Sequence, residues 1–283
     1  RKSPSEHPPV DLAGQVAIVA GGGRGIGRAV ALSLASAGAS VVVIARTLDQ
    51  VHETVAAIKG AGGRGAGIPL DVTNDGAVEK MVQRVERETG RVDLLVNSAA
   101  MGPPFGPLAE IDAEEWWRCL EVNLRGPLLC ARAVLPGMLA RRHGRIVNFA
   151  SGSGTFPVPN LSAYAVSKTA LLRFTETLAA ETRGLGVSAF AVGPGAVRTS
   201  MAEAVLVSPA ARGWLPDLAR LFDEGHDVPA DAAAALVRTL ATGRADRLSG
   251  RFISIDDDLD AMIERSGEID RRHLYTLRLS KLD

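Results

Sequence analysis

The chain has 283 residues, enough to bury a substantial core as one large domain or two small ones. Its 46% hydrophobic and 23% charged content argues against disorder, and no uninterrupted apolar run approaches the ~18 residues of a membrane span. With 32 basic against 32 acidic residues, nothing points to a whole-chain affinity for nucleic acid or an anionic membrane surface.

The opening "RKSPSEHPPV" has no apolar segment of the kind a secretory signal needs, and its prolines predict a flexible arm over residues 1 to 10. From Gln15 onward, β-rich runs alternate with helical ones: "QVAIVA", a helix from about Gly25 to Ala37, "SVVVIA", and a helix from Leu48 to Lys59. The alternation continues with "AGIPLDV", a helix through "DGAVEKMVQRVERETG", the strand "VDLLVN" and helices across residues 113 to 141. "RIVNFAS", a helix from about Leu161 to Arg183, "VSAFAVG", a helix at 230 to 241 and a last strand "RFISI" complete the series. This order predicts the α/β class, with a single doubly wound Rossmann domain over residues 11 to 258 and a seven-stranded parallel sheet. The charged tail, residues 259 to 283, is able to form a helix, and Tyr275, Leu277 and Leu279 alternate as a short strand would.

Cys119 and Cys130 lack CxxC spacing and fall in apolar helical pattern, so they read as core residues of a protein in a reducing, cytoplasmic setting. The basic cluster from Arg141 to Arg145 stands where a helix should end, and there its cations complement the helix dipole. The acidic run Asp256 to Asp258 has no companion ligands nearby, and no metal site is predicted.

"VAGGGRGIGRAV", residues 19 to 30, joins the first strand to the first helix. Gly22 and Gly27 have the first spacing of a Walker A loop, but Arg28 and Ala29 follow where Lys and Ser or Thr are needed, which sets nucleotide hydrolysis aside. What is present is GxxxGxG, at Gly21, Gly25 and Gly27. Such glycines allow a tight turn and close backbone approach, and the helix N-terminus offers amides and a positive dipole end to a pyrophosphate. Taken alone, the loop is a weak signal, and a turn that binds nothing or one that binds S-adenosylmethionine remains as a lesser alternative. The second strand ends in Ala45 and Arg46 rather than an acidic residue, and with Arg24 it places two guanidinium groups where a 2′-phosphate would lie. That pairing favours NADP over NAD.

"SAYAVSK" sets Tyr164 and Lys168 four apart, on one face of a helix. A phenol is a poor base at neutral pH, and a neighbouring ammonium is expected to lower its pKa toward a working range. Ser151, at the carboxyl end of "RIVNFAS", is placed to hydrogen-bond the same substrate oxygen. Each of the three has an ordinary structural explanation; in this order, behind a glycine loop, they point to chemistry.

On these residues the chain resembles the short-chain dehydrogenase/reductases of the classical type, over about residues 11 to 258. The family's TGxxxGxG loop is matched by Ala20, Gly21, Gly25 and Gly27, with alanine in place of threonine. Its NNAG motif falls on Asn97, Ser98, Ala99 and Ala100, departing at two positions. Phe190 replaces the asparagine common before the PG motif, which is Pro194 and Gly195. The resemblance implies a catalytic set of Asn123, Ser151, Tyr164 and Lys168. In it Tyr164 is general acid or base, Lys168 lowers its pKa and binds the nicotinamide ribose, Ser151 orients the substrate oxygen, and Asn123 holds a relay water. The implied cofactor-binding set is Gly21, Gly23, Arg24, Gly25, Ile26, Gly27, Arg46, Asp71, Val72, Asn97, Ala99, Tyr164, Lys168, Pro194, Gly195, Val197 and Thr199.

Two functions follow as expectations. One is an NADP(H)-dependent oxidoreductase acting on a small-molecule carbonyl or alcohol, with NAD(H) as the lesser cofactor, with no nucleic-acid or membrane partner, and assembled as a homotetramer or homodimer. The other is a dinucleotide-sensing regulator without turnover; a complete catalytic set argues for the enzyme. The segment from Met201 to Pro229 is expected to cover the substrate, with Leu206, Trp214, Leu215, Leu218 and Phe222 either lining a lid or packing on the domain. His226 reads as a surface residue.

Overall fold

The computed structural model describes residues 10–102 and 104–279, so the arm predicted at residues 1 to 10 lies almost wholly outside the described residues. Seven strands, β1 (Val16–Ala20), β2 (Ser40–Ala45), β3 (Arg64–Pro69), β4 (Leu94–Asn97), β5 (Gly144–Phe149), β6 (Val187–Gly193) and β7 (Phe252–Ser254), form one sheet in the order β3-β2-β1-β4-β5-β6-β7. Every pairing is parallel. The chain therefore begins mid-sheet, winds out to β3, returns past β1 to β4, and winds the other way to β7. At that reversal the loops after β1 and β4 diverge and leave a crevice at the carboxyl ends of the strands.

Crossover connections are supplied by α1 (Gly25–Ser36), α2 (Leu48–Gly60), α3 (Asp75–Thr89), α4 (Ala113–Leu120), α5 (Gly126–Arg141) and α6 (Ser162–Glu181). Three short helices follow, α7 (Ser200–Leu206), α8 (Pro209–Trp214) and α9 (Pro216–Asp223), then α10 (Ala230–Ala241), α11 (Leu259–Glu264) and α12 (Ser266–Arg271). The period-2 alternation of strand side chains builds two apolar layers. Ala17 and Val19 of β1, with Val41 and Val43 of β2, face Val30 and Leu34 of α1 and Val237 and Leu240 of α10. Val16, Ile18, Val42 and Ile44 face the other way, toward Val82 and Val85 of α3, Val134 and Met138 of α5 and Leu178 of α6. Burial on both faces explains why β1 reads "VAIVA" without a polar residue. Each such aliphatic side chain contributes about 1.5–3 kcal/mol of transfer free energy.

Several expectations are corrected. The third strand was placed over residues 66 to 72, but it runs Arg64–Pro69. As an edge strand paired only with β2 it tolerates a proline without an amide, and its early end releases Asp71 and Val72 into the crevice loop. The helical stretch from 113 to 141 is interrupted by a π-helical turn, Glu121–Arg125. Pro127 has no N–H for the Asn123 carbonyl, so the regular ladder fails there and the wider turn takes its place. Among the described residues the tail forms no strand, because His273 and Tyr275 adopt φ of 51° and 58° and break the alternation. Instead, the Phe252 amide of β7 donates to the Tyr275 carbonyl at 2.9 Å, and the Leu277 amide donates to Glu176 at 2.6 Å. Met262 of α11 and Ile269 of α12 are buried in the first layer, so packing continues past residue 258.

The charge clusters have local explanations. Arg141 donates to the Val92 carbonyl, Arg142 to the Gly184 carbonyl, and Arg145 pairs with Asp246 at 2.7 Å. Asp257 accepts the Ser254 amide, and Asp258 caps α11 through the Ala261 amide. Among the described residues, no helix is long and apolar enough to cross a membrane.

Candidate active site

The crevice is shaped first by missing side chains. Gly21 turns the chain out of β1 with φ +82°, and a Cβ there would meet the Ala99 amide nitrogen at 2.4 Å. On Gly27 a Cβ would meet the Gly21 carbonyl oxygen at 2.2 Å, forcing α1 away from the loop. Arg24 precedes α1 without capping it by a side-chain hydrogen bond, so the first-turn amides and the positive dipole end face the crevice. From there a cleft of about 390 Å³ runs between Arg24, Arg46 and Asp71 at one end and α7–α9 at the other, past Ser151 and Tyr164.

Ser151 leaves β5 and accepts the Ser153 amide at 3.2 Å, while the two hydroxyls lie 2.7 Å apart. Its orientation is thus set by the short turn Gly152–Gly154 that it caps. Tyr164 and Lys168 stand one turn apart on α6, with the Lys168 Nζ 5.4 Å from the Tyr164 ring centroid. That Nζ donates to the Phe149 carbonyl at 2.7 Å. Enclosure by protein pushes the Tyr164 phenol up to about 12, against the pull of the Ser151 hydroxyl, with the nearby Cys119 adding to the rise. The same desolvation takes Lys168 down to about 8. The Lys168 Nζ is directed at the Phe149 carbonyl, and burial is the largest influence on both groups.

Asn123 occupies the π-helical turn and is fully enclosed. Its Oδ1 accepts the Met101 amide at 2.8 Å, and its Nδ2 lies 3.2 Å from the Ser167 Oγ and 3.3 Å from the Cys119 Sγ. It fastens the loop after β4 to α4 and α6 directly behind the reacting face. It does not line the cleft. Cys119 is buried, and desolvation raises its pKa, so it stays a neutral thiol in this packing.

Known proteins share this arrangement. The family model described as short chain dehydrogenase matches residues 15–208. A short chain dehydrogenase of Pseudocercospora fijiensis is 37% identical over 96% of this chain and 91% of its own. The chain belongs to the short-chain dehydrogenase/reductase family. A 3-oxoacyl-[acyl-carrier-protein] reductase of a Synechocystis strain is 34% identical over 87% of this chain and 96% of its own. Among solved structures, a metagenomic short-chain oxidoreductase in complex with NADP is 34% identical, with a TM-score of 0.69 over 82% of this chain and 92% of that one. An NAD+-bound xylitol dehydrogenase is 25% identical, with a TM-score of 0.78 over 86% of this chain and 98% of that one.

In this short-chain dehydrogenase/reductase, fourteen of the residues that sequence reasoning assigned to the cofactor line the cleft beside Tyr164 and Lys168: Gly21, Gly23, Arg24, Gly25, Ile26, Gly27, Arg46, Asp71, Val72, Ala99, Pro194, Gly195, Val197 and Thr199. Asn97 does not. As the last residue of β4 it is buried, donating to Asn148 Oδ1 at 2.8 Å, and Asn148 in turn donates to Thr175. Its Nδ2 thereby ties β4 to β5, while its buried Oδ1 has no hydrogen-bond partner among the described residues. Asp71 is pushed up by burial, but the Thr73 amide and hydroxyl and the Arg46 guanidinium hold its carboxyl below the usual range.

Three contributors were not visible in the sequence. Ser153 supplies a second hydroxyl beside Ser151, Phe105 lines the far wall, and Thr54 of α2 donates to the Gly23 carbonyl at 3.2 Å, steadying the loop. Only Ser153 had a local signal, its position two residues after Ser151. In the segment from Met201 to Pro229, some apolar residues both pack on the domain and face the cleft. Leu215 and Phe222 are buried against the domain, and both, with Leu218, line the cleft. Leu206 and Trp214 do not line it, and His226 is exposed beside Glu224.

Proposed function

We propose that this enzyme interconverts a ketone or aldehyde and an alcohol, using NADP(H) in preference to NAD(H). The observation that carries the reading is the convergence of Ser151, Tyr164 and Lys168 at one point of a cleft whose other end is a glycine-walled helix N-terminus. That end fits a dinucleotide. Backbone stands where a Cβ on Gly21 or Gly27 would otherwise fill, and the α1 amides are offered to a pyrophosphate. Among the described residues neither Arg24 nor Arg46 forms an ion pair, which leaves both guanidiniums for a 2′-phosphate. Pro194, Gly195, Val197 and Thr199 would hold the nicotinamide end, and the bound cofactor supplies or accepts the hydride.

The chain's own residues handle the proton. With its pKa near 12, Tyr164 gives its proton to the carbonyl oxygen as negative charge develops there. Ser151 donates a hydrogen bond to the same oxygen, and Lys168, charged below about pH 8, steadies the phenolate that Tyr164 becomes. By microscopic reversibility the phenolate takes the proton back when an alcohol is oxidised, so the same residues serve both directions. Tyr164→Phe tests the mechanism. Carbonyl reduction, followed by NADPH absorbance, should fall by about 10²–10⁴-fold with an unchanged thermal melt. Turnover near the wild-type rate would remove Tyr164 from the reaction.

A further inference from the structure

Beyond Tyr164 the cleft changes character. Its wall there is made by Phe105, Leu161, Val205, Leu215, Leu218 and Phe222. The charged side chains that line the cleft are Arg24, Arg46, Asp71 and Lys168. The first three stand at the glycine-loop end, and the Lys168 ammonium already donates to Phe149. The helices that cover the far end do carry charges, but these pair with one another away from the lining: Arg198 with Glu203 and Asp227, each at 3.3 Å, Arg212 with Asp223, and Arg220 with Asp217 at 3.5 Å. Each of α7–α9 thus has an ionic outer side and an apolar inner one.

Among the described residues, a substrate anion bound at this end would meet no guanidinium; the Lys168 ammonium is already held by the Phe149 carbonyl, and of the two helix starts at the lining, that of α7 has its Ala202 amide taken by the Thr199 hydroxyl, while that of α6 is set among Leu161 and Tyr164. Such an anion would lose its water for little return, which apolar surroundings make costly. Beside the Lys168 ammonium, the polar groups at the reacting point are the hydroxyls of Ser151, Ser153 and Tyr164, and these suit an uncharged oxygen. We infer that the substrate is an uncharged, predominantly apolar carbonyl compound with no carboxylate or phosphate close to the reacting carbon. This rests on the carbonyl-reducing function proposed above and narrows it to one substrate class. The apolar wall supplies binding, and the hydroxyls select the oxygen.

The test is a matched series reduced by the purified chain with saturating NADPH or NADH. Neutral aryl and cycloalkyl ketones are compared with carboxylated analogues of the same skeleton, such as acetophenone with benzoylformate and with 4-acetylbenzoate. Neutral members should show kcat/KM about 100-fold above the charged ones. Leu218→Arg and, separately, Met201→Arg place a cation at the lining, and either variant that keeps its thermal melt should narrow that ratio at least about tenfold. Equal or better turnover of the carboxylates by wild type overturns the substrate class while leaving the carbonyl-reducing function intact. Absence of turnover with every carbonyl and both cofactors overturns the function, and the inference with it.

Discussion

At the glycine-loop end the cleft wall is backbone, fitted so closely that a single added methyl on Gly27 would collide with a carbonyl oxygen at 2.2 Å. At the α7–α9 end the wall is side chain, carried by helices of six to eight residues whose packing is apolar and local. Backbone offers fixed N–H groups that suit a ligand of constant chemistry; side chains offer shape, which changes with each substitution. The difference teaches that one fold separates an invariant partner from a variable one by the material facing each. Disturbance at the first end should abolish binding, and disturbance at the second should retune it.

The sharpest way to break the comparison is Gly27→Ala. The clash is with backbone that has nowhere to move, so we expect loss of cofactor binding by titration, together with destabilisation of more than about 3 kcal/mol. Retained cofactor affinity would mean that the loop yields as side chains do.

Lys168 lies at the junction of the two ends, and its buried ammonium is a cost to the fold. Its pKa falls from 10.5 to about 8 on folding. Between about pH 8 and 10.5 the unfolded chain keeps a proton that the folded chain has shed, so this group makes stability rise with pH across that window. Lys168→Met should remove that gain, worth about 3 kcal/mol. Stability against denaturant, measured at pH 7 and pH 10, should therefore favour the variant by more at pH 7 than at pH 10, even as its turnover is lost. A constant difference would show that the lysine is not desolvated as described.

At the apolar end, Leu215→Ala should cost about 2–4 kcal/mol through the cavity it leaves, read by chemical denaturation. KM for the carbonyl should rise while cofactor affinity holds. The smallest effect expected is Arg46→Asp, which should turn the cofactor ratio toward NADH by about tenfold through loss of one charge-assisted contact. Tighter NADH than NADPH binding by the wild type would refute the arginine assignment outright.

Legibility in the sequence follows the same division. The sheet and its helices were readable because strands buried on both faces are continuously apolar and helices between them are periodic, as β1 and α3 show. The glycine loop, Ser151, Tyr164 and Lys168 were readable because they sit at fixed offsets from those elements. What local pattern could not carry was contact between distant segments. The family's NNAG motif puts Asn97 in the cofactor set, yet its Nδ2 donates to Asn148 on the adjacent strand. Spacing shows that Tyr164 and Lys168 are close, but neither the Phe149 carbonyl that the Lys168 Nζ meets nor the depth of burial at the pair. Phe105 and Thr54 reach the site from elements with no local mark of function.

The tail that crosses the last strand bears on how copies of this chain meet. A parallel sheet ends on both sides in strands with unpaired N–H and C=O groups, each a template for another strand. On the β3 side, Pro69 and an exposed, glycine-bearing sequence blunt that invitation. On the β7 side the chain folds its own terminus across the border, and the Tyr275 carbonyl takes up the Phe252 amide that an incoming strand would need. The left-handed turns at His273 and Tyr275 keep that covering segment from becoming an eighth strand with a fresh border of its own. Removal of the segment from residue 273 onward would thus bare the β7 border and make the molecule prone to sheet-to-sheet self-association.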